Sequence, residues 1–426
     1  MNRPQGEILS DTRPHRVQQK IREYGLTAGT LGSTSSQTVM VALLPVLLSQ
    51  YTHSALLIGF AIGGEGLFAV LVPYWVGALS DHLPPRIATR FGRRTLFLLL
   101  TAPIMAAALV VAPFLSGYIP LAAAAFVFFA ALHGYLTPLW ALLVDAVPKE
   151  RHGQVQGVRG MLHATGLAYG LVAGGLLFSL WRPLPFLIAA ALILVATAIT
   201  KIAAPTEAAA DVKAEAKLAD LLRIWRRFQG RPAVPWFLLA NALWSGGVDG
   251  IRPFIFIFAT VVLGINVAQT SLALLLIVAG LGIGALIIGR LGDRYGHETL
   301  LEIGGAVTGV TMLLGFFVRD LPGATVVLLV SGLGAAALIS LPYPLFASLI
   351  GEGNVGRDTG LYILTFGIGR IVAPLLVGTA IDLAVPLFPD LRGYPVMWPM
   401  AGILALLGVL ALRKSMSYAQ ATMPAD

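Results

Sequence analysis

The stretch GALSDHLPPRIATRFGRR, residues 77–94, crowds four arginines and one aspartate between two long apolar runs. Around it, the chain of 426 residues is 57% hydrophobic and only 12% charged, whereas a soluble domain carries about 25% charged residues. The composition therefore predicts an integral membrane protein. Cysteine is absent, which excludes disulfides, thiolate metal sites and cysteine nucleophiles.

Helix-length apolar windows divide the chain into six segments, a polar interval and six further segments. A membrane span needs about 20 apolar residues, and in lipid the backbone must satisfy its own hydrogen bonds, so these segments are predicted to be helices. The predicted spans are 27–49, 55–79, 95–115, 120–145, 157–180, 183–203, 234–262, 268–289, 299–318, 323–350, 358–382 and 395–412. The predicted fold class is an all-α membrane protein with twelve transmembrane helices.

The distribution of basic residues predicts the orientation. Of the 29 lysines and arginines, 24 fall on the side of the N-terminal tail, three on the opposite side and two within spans. Cytoplasmic loops carry the positive excess in membrane proteins, so both termini are predicted to lie in the cytoplasm beneath the cell membrane. Topology and anionic headgroups explain the net charge of +8, so no nucleic-acid partner is predicted. The predicted organisation is a cytoplasmic N-terminal tail (1–25), a first half (26–203), a cytoplasmic linker (204–233), a second half (234–413) and a cytoplasmic C-terminal tail (414–426).

The opening stretch has a second copy, which predicts that the two halves are duplicates. GALSD at 77–81 corresponds to GRLGD at 289–293, and PLWALLVD at 138–145 corresponds to PLFASLIG at 344–351. Each pair falls at an equivalent place, after the second span and at the end of the fourth span of its half. Two pseudo-symmetric six-helix halves are the economical interpretation, as in many secondary transporters.

With these motifs in place, the chain resembles the major facilitator superfamily from about residue 26 to 413. GALSD followed by RFGRR is similar to the signature loop of that superfamily. Within it, RFGRRTLF (90–97), ALLVD (141–145) and TGLYILTFGIGRIVAPLLVG (359–378) are similar to the glycoside–cation and sucrose–proton symporter group. The resemblance implies two six-helix halves that rock around a central site.

The charges of the signature loop also have a physical reason of their own. Asp81 sits at the carboxyl end of a predicted helix, where a carboxylate opposes the helix dipole unless cations neutralise it. A charge cluster that breaks and re-forms can hold one of two conformations. The resemblance implies this gating role for Gly77, Asp81, Arg90, Arg93, Gly289, Asp293 and Arg294. Positive-inside anchoring is the alternative, and it explains the arginines but not the aspartates or the glycines.

Ionisable residues within the predicted spans form the candidate substrate and proton site, because each one costs about 2.5–3.5 kcal/mol at the bilayer centre on insertion scales. Glu65, Asp249, Arg252 and Arg370 lie near the middles of spans two, seven and eleven. Asp249 and Arg252 are three residues apart, so they share a helix face and can pair. Glu65 and Arg370 lie at similar depths. Three interpretations are open. The two residues bridge the halves in one state, Arg370 holds an anionic group, or the two residues form a purely structural ion pair.

Four further polar residues complete the candidate site. Asp145 ends the fourth span in ALLVD, where the resemblance implies proton coupling; alternatively, it faces cytoplasmic water. His133 can titrate or bind a polar ligand, or it is a packed histidine bonded to a neighbouring backbone. Gln37 and Asn241 can supply the amide hydrogen bonds that sugar recognition requires.

Absent motifs narrow the function. The chain has no Gly-Lys-Ser/Thr phosphate loop, no HExxH and no GxSxG, so no ATP-driven pump, enzyme, cofactor or metal is predicted. The favoured function is transport of a small polar solute, a sugar or glycoside first, by a monomer in the lipid bilayer, with a proton or sodium as the coupling ion. The alternatives are a proton-driven exporter of amphipathic or cationic drugs or of organic anions, and a non-transporting assembly factor.

Overall fold

Twelve helices make up the computed structural model, which describes residues 20–81, 92–148, 151–204, 232–350 and 355–421. The first six are α1 (Ala28–Leu48), α2 (Ala55–Asp81), α3 (Arg93–Val111), α4 (Tyr118–Ala146), α5 (His152–Leu180) and α6 (Leu184–Ala203). The second six are α7 (233–261), α8 (Val267–Tyr295), α9 (His297–Gly315), α10 (Leu321–Ile350), α11 (Val355–Ala384) and α12 (Met397–Ala421). The predicted all-α fold is confirmed, and α12 continues beyond its predicted end.

The seventh helix is broken where the sequence analysis predicted one continuous span. It consists of Ala233–Gly250, a 3-10 turn at Arg252–Phe254 and a second part, Ile255–Val261. Pro253 has no N–H, and its ring crowds the preceding turn, so the break follows from the sequence at this point. Within the described ranges, ten helices are long and apolar enough to span a membrane; α7 and α9 are not among them.

The packing of the helices repeats between the two halves. In the first half, α1 packs against α5 and α6, α3 packs against α4 and α6, and α2 packs against α4. In the second half, α7 packs against α11 and α12, α9 packs against α10 and α12, and α8 packs against α10. Each pair of the second set lies six helices after its counterpart, so the fold has the duplicated architecture that the two motif copies predicted.

The halves meet at one end of the bundle, called here the closed end, which carries the loops 49–54, 262–266 and 385–396. There, α1 contacts the second part of α7, and α5 contacts α8. Gly175 of α5 lies directly against the Ser271 side chain of α8. These contacts leave no passage between α5 and α8 at this level.

The helices α2 and α11, one from each half, pack closely because glycine occupies the points of contact. Gly59 of α2 lies against the carbonyl group of Pro374, and Gly378 of α11 lies against that of Ala55. A side chain at either glycine would overlap the backbone of the other helix. Small residues at the contact are the usual means of close helix approach in membranes.

The halves separate toward the opposite end, called here the open end. A Cβ atom added at Gly153, Gly157 or Gly160 of α5 would meet no neighbouring atom within 4 Å. The helix α8 packs against Tyr169–Leu180 of α5 but not appreciably against His152–Ala168, the part of α5 that carries these glycines. A cleft therefore runs between α5 and α8 from the open end toward the middle of the bundle, and His163 in this part of α5 is exposed.

A carboxylate of the second half caps a helix of the first half at the closed end. Asp382, near the end of α11, accepts hydrogen bonds from Ser54 Oγ at 2.6 Å, from the Ala55 N–H at 2.7 Å and from the Leu56 N–H at 3.1 Å. The N-terminus of α2 carries unpaired N–H groups and a partial positive charge, which a carboxylate satisfies. Asp382 and the start of α2 thus form a latch between the halves.

We expect Asp382→Asn to weaken this latch and to open the closed end in roughly tenfold more molecules, because hydrogen bonds to a charged group contribute about 1.5–3 kcal/mol. The natural chain has no cysteine, so spin labels attach only at introduced sites. Tyr51→Cys and Leu387→Cys are exposed positions in opposite halves, and the distance between labels there, measured by pulsed electron paramagnetic resonance, reports the gap.

The matched control is Asp390→Asn, which removes a carboxylate from the same end of the molecule. We expect the control to keep the distance distribution of the parent protein. An unchanged distribution in Asp382→Asn would contradict the latch.

Candidate functional site

Four charged side chains form a continuous chain of ion pairs in the middle of the bundle. Arg370 of α11 donates from Nε to Asp249 Oδ2 at 2.9 Å and from Nη1 to Glu65 Oε1 at 3.3 Å. The other Asp249 oxygen, Oδ1, accepts from Arg252 Nη1 at 2.8 Å. Glu65 belongs to α2 of the first half, and the other three belong to the second half. Arg370 therefore joins acids from both halves.

Local sequence explains how these side chains meet. Asp249 lies in the last turn of Ala233–Gly250, and Arg252 opens the 3-10 turn that follows, so their spacing keeps them on one face. Glu65 is followed by Gly66, whose Cα faces the backbone of Gly367 and Ile371 on α11. The missing side chain brings α2 close to α11 at the level of Arg370.

Three neighbours surround the Glu65–Arg370 pair. Gln37 of α1 donates from Nε2 to Glu65 Oε1 at 2.5 Å. The ring of Phe366 lies 4.6 Å from the Arg370 guanidinium carbon, a distance at which a cation and an aromatic face attract. His133 of α4 is buried, and its Nε2 has no hydrogen-bond partner among the described residues. The cluster is thus packed by residues of α1, α4 and α11.

Two further polar contacts lie near this cluster. Asn241 of α7 donates to Thr365 Oγ1 of α11 at 3.3 Å and is 2% exposed, so its amide is engaged in packing within the second half. His163 of α5 pairs through Nδ1 with Thr34 Oγ1 of α1 at 3.0 Å. Unlike Asn241, His163 is exposed.

Asp145 lies apart from the cluster. It is exposed near the end of α4 and forms an ion pair with Arg94 Nε of α3 at 3.3 Å. The water-facing alternative fits this position better than the dry coupling site that the resemblance implied. Asp145 and Arg94 belong with the charges around the signature loop.

The structure describes the predicted gating residues only in part. Arg93 begins α3, and the Arg294 guanidinium carbon lies 5.4 Å from the centre of the Tyr295 ring. Arg90 lies outside the described part of the chain, and for Gly77, Asp81, Gly289 and Asp293 only the helical backbone is described. Their gating role stays a prediction.

An ion pair of the cluster can break when one of its acids is protonated or when a charged ligand binds in its place. Its two acids and two bases balance, and breaking one buried pair by removing a partner leaves an uncompensated charge that costs several kcal/mol. Protonation of an acid, or binding of a charged group, must therefore be compensated within the cluster. In the described part of the chain, no three His, Asp or Glu side chains are grouped to hold a metal ion.

The sequence analysis identified the four charged residues of the cluster but not the contact of Arg370 with Phe366 or the Asp382 latch. Phe366 lies four residues before Arg370, a spacing that places both on one helix face, so the pattern itself could have indicated the cation–aromatic contact. The Asp382 latch had a weaker signal, an acid in the last turns of a span. Such residues commonly face water, and only the fold shows that the N-terminus of α2 is beside it.

Comparisons with known proteins identify the family. The Major Facilitator Superfamily profile matches residues 26–279 and 253–420. The multi-drug resistance efflux pump PmrA homolog of Lactococcus lactis subsp. lactis (strain IL1403) is 25% identical over 259 residues, which cover 58% of this chain and 62% of that protein. The match thus spans less than two thirds of the relative's length.

Two crystal structures share the fold. A bacterial homologue of the human lysosomal transporter Spinster, in an inward-facing and occupied conformation, has a TM-score of 0.75 and 14% identity over 98% of this chain and 100% of that chain. The nucleoside transporter NupG has a TM-score of 0.72 and 15% identity over 94% of this chain and 99% of that chain. Since the family profile covers most of the sequence and the duplicated twelve-helix fold agrees with it, the chain belongs to the Major Facilitator Superfamily of membrane transporters.

Proposed function

We propose that this protein is a proton-coupled transporter of a small polar solute, in which Glu65 takes up and releases the proton. The observation that carries the proposal is the position of Arg370, which is bonded to an acid of each half. A change of charge at Glu65 acts on a contact between the two bodies that move during transport.

The proposed coupling follows from the charges. Protonation of Glu65 removes its negative charge and weakens its bond to Arg370, while Asp249 still holds the guanidinium. A proton shifts a conformational equilibrium only through its different affinity for the two states, and coupling free energies of this kind are typically about 1–3 kcal/mol. Loss of the charged Glu65–Arg370 pair changes the link between the halves and supplies that difference.

The orientation of the cycle is part of the proposal. By the positive-inside rule, the loops at the open end face the cytoplasm and those at the closed end face outward, so the described state is open to the cytoplasm. The cleft lies within one chain, which supports a monomer as the working unit. We place the protein in the cell membrane with both termini inside.

Sugars and glycosides are the first solutes to test, because the sequence resembles the glycoside–cation group. A second candidate is proton-driven efflux of amphipathic compounds, which is favoured by the similarity to the PmrA homolog, a multi-drug resistance efflux pump. Both functions use the same cluster. They differ in the solute and in the direction of net movement.

We expect Glu65→Gln to lose gradient-driven accumulation by at least tenfold while keeping solute exchange without a gradient. Glutamine resembles a protonated glutamate, retains a hydrogen-bonding oxygen for Arg370 and cannot release a proton. The measurement is movement of labelled sucrose, maltose, a glycoside and the acidic sugar D-glucuronate, and of the cationic dye ethidium, in proteoliposomes with a proton gradient or with a sodium gradient at equal pH.

Two variants control this experiment. Glu302→Gln removes an acid paired with Arg413 at the surface and should accumulate solute like the parent protein. Asp145→Asn should slow transport without uncoupling it, because Asp145 lies outside the cluster. Full accumulation by Glu65→Gln would contradict the proposed role of Glu65, and transport of ethidium without any sugar would select the second candidate. Accumulation driven by a sodium gradient alone would identify sodium, and not the proton, as the coupling ion.

The pairing of Arg370 also predicts a pattern of stability. Arg370→Gln leaves Glu65 without its cation, and breaking a buried ion pair costs about 3–5 kcal/mol. We expect a lowered unfolding temperature in detergent and partial recovery in the double variant Glu65→Gln/Arg370→Gln, which carries no unpaired charge. Arg413→Gln, an exposed arginine, is the control. A double variant less stable than Arg370→Gln would refute direct pairing.

A further inference from the structure

The accessible part of the charge cluster is basic. The Arg252 and Arg370 side chains are 26% and 23% exposed, whereas those of Asp249 and Glu65 are 12% and 6% exposed. A charge at this depth is not exposed to lipid without a large cost, so the exposed parts face an aqueous cavity. A solute that arrives in the cavity meets the arginines first.

Both guanidinium groups keep donors that the cluster does not use. A guanidinium carries five N–H donors. Within the described part of the chain, Arg252 donates only from Nη1, and Arg370 donates from Nε and Nη1. The Nη2 atoms are not among the buried polar atoms that lack a partner. They are therefore open to the cavity.

The two arginines are held side by side. They bind opposite oxygens of one carboxylate, that of Asp249, which fixes the guanidinium groups as neighbours. His163 adds a third exposed polar group from the first half, where it is paired with Thr34. Planar guanidinium groups with paired donors match the oxygens of a carboxylate or a phosphate.

We propose that the transported solute carries an anionic group, a carboxylate or a phosphate, which binds to Arg252 and Arg370. This inference rests on the proposed function and names its class of substrate. Proton uptake by Glu65 leaves the cluster with one excess positive charge, which a monoanionic solute neutralises. The groups that face Glu65 are Gln37, His133 and Arg370, with Asp249 behind Arg370.

The same geometry disfavours a cationic solute. The two carboxylates that would attract a cation are nearly buried and already paired with arginine. A cation entering the cavity would meet like charges, and like-charge contacts select against a ligand. The cluster therefore discriminates by the sign of the solute charge.

The test is direct binding to the purified full-length chain in detergent near pH 6, without any gradient. The probes are matched acid and neutral pairs: D-glucuronate and D-glucose, uridine 5′-monophosphate and uridine, and benzoate and benzyl alcohol, with ethidium as the cation. Binding is measured by the rise in unfolding temperature and by titration calorimetry. We expect the anion of at least one pair to bind at least tenfold more tightly than its neutral partner.

The variants separate recognition from folding. Arg252→Gln should weaken anion binding at least tenfold, while Asp249 remains paired with Arg370 and the fold persists. Arg252→Lys should restore part of the affinity, because it keeps the charge but not the paired donors. Arg413→Gln should bind like the parent protein.

Three outcomes would overturn the anionic solute: binding of neutral or cationic probes in preference to anions, no binding of any anion in the panel, or undiminished anion binding by Arg252→Gln. The assay uses no gradient, so it does not depend on proton coupling. If the parent protein binds anions but Glu65→Gln still shows coupled transport, Glu65 is not the proton acceptor. The anionic class of substrate is then still supported.

Discussion

A charge inside a membrane must be paired, and the Arg370 guanidinium is the group on which pairing in this protein depends. It holds Glu65 of the first half and Asp249 of the second, and Asp249 in turn holds Arg252. The desolvation of each ion is costly, so the four charges are stable only as a balanced set. A proton or an ionic solute that alters one member must change the others, which is the physical basis of the coupling that we propose.

The latch at the closed end lies on the same two helices as the Glu65–Arg370 pair. Glu65 belongs to α2 and Arg370 to α11, and the latch joins Asp382 of α11 to the first turn of α2. Glycine contacts hold the two helices together between these points. A shift of α2 against α11 would therefore act on the ion pair and on the latch at once.

Much of this structure can be predicted from the sequence, and the features that cannot be predicted have a physical reason. The spans are visible because lipid demands long apolar segments, and the duplication is visible because two loops keep the same motif. Glu65, Asp249, Arg252 and Arg370 stand out because charge is rare in such segments. The sharing of Arg370 between two acids depends on the rotation of α2, α7 and α11, which hydropathy does not encode. Pro253 marks the break in α7 in the sequence itself, whereas the Asp382 latch can be recognised only from the folded structure.

We propose above that protonation of Glu65 changes the link between the halves. The most direct test is the distance between spin labels at Tyr51→Cys and Leu387→Cys, measured from about pH 5 to 8 in the otherwise unaltered chain and in Glu65→Gln. We expect the distance distribution of the unaltered chain to shift with pH, and Glu65→Gln to show the low-pH distribution throughout. A Glu65→Gln protein that responds to pH like the unaltered chain would contradict this proposal.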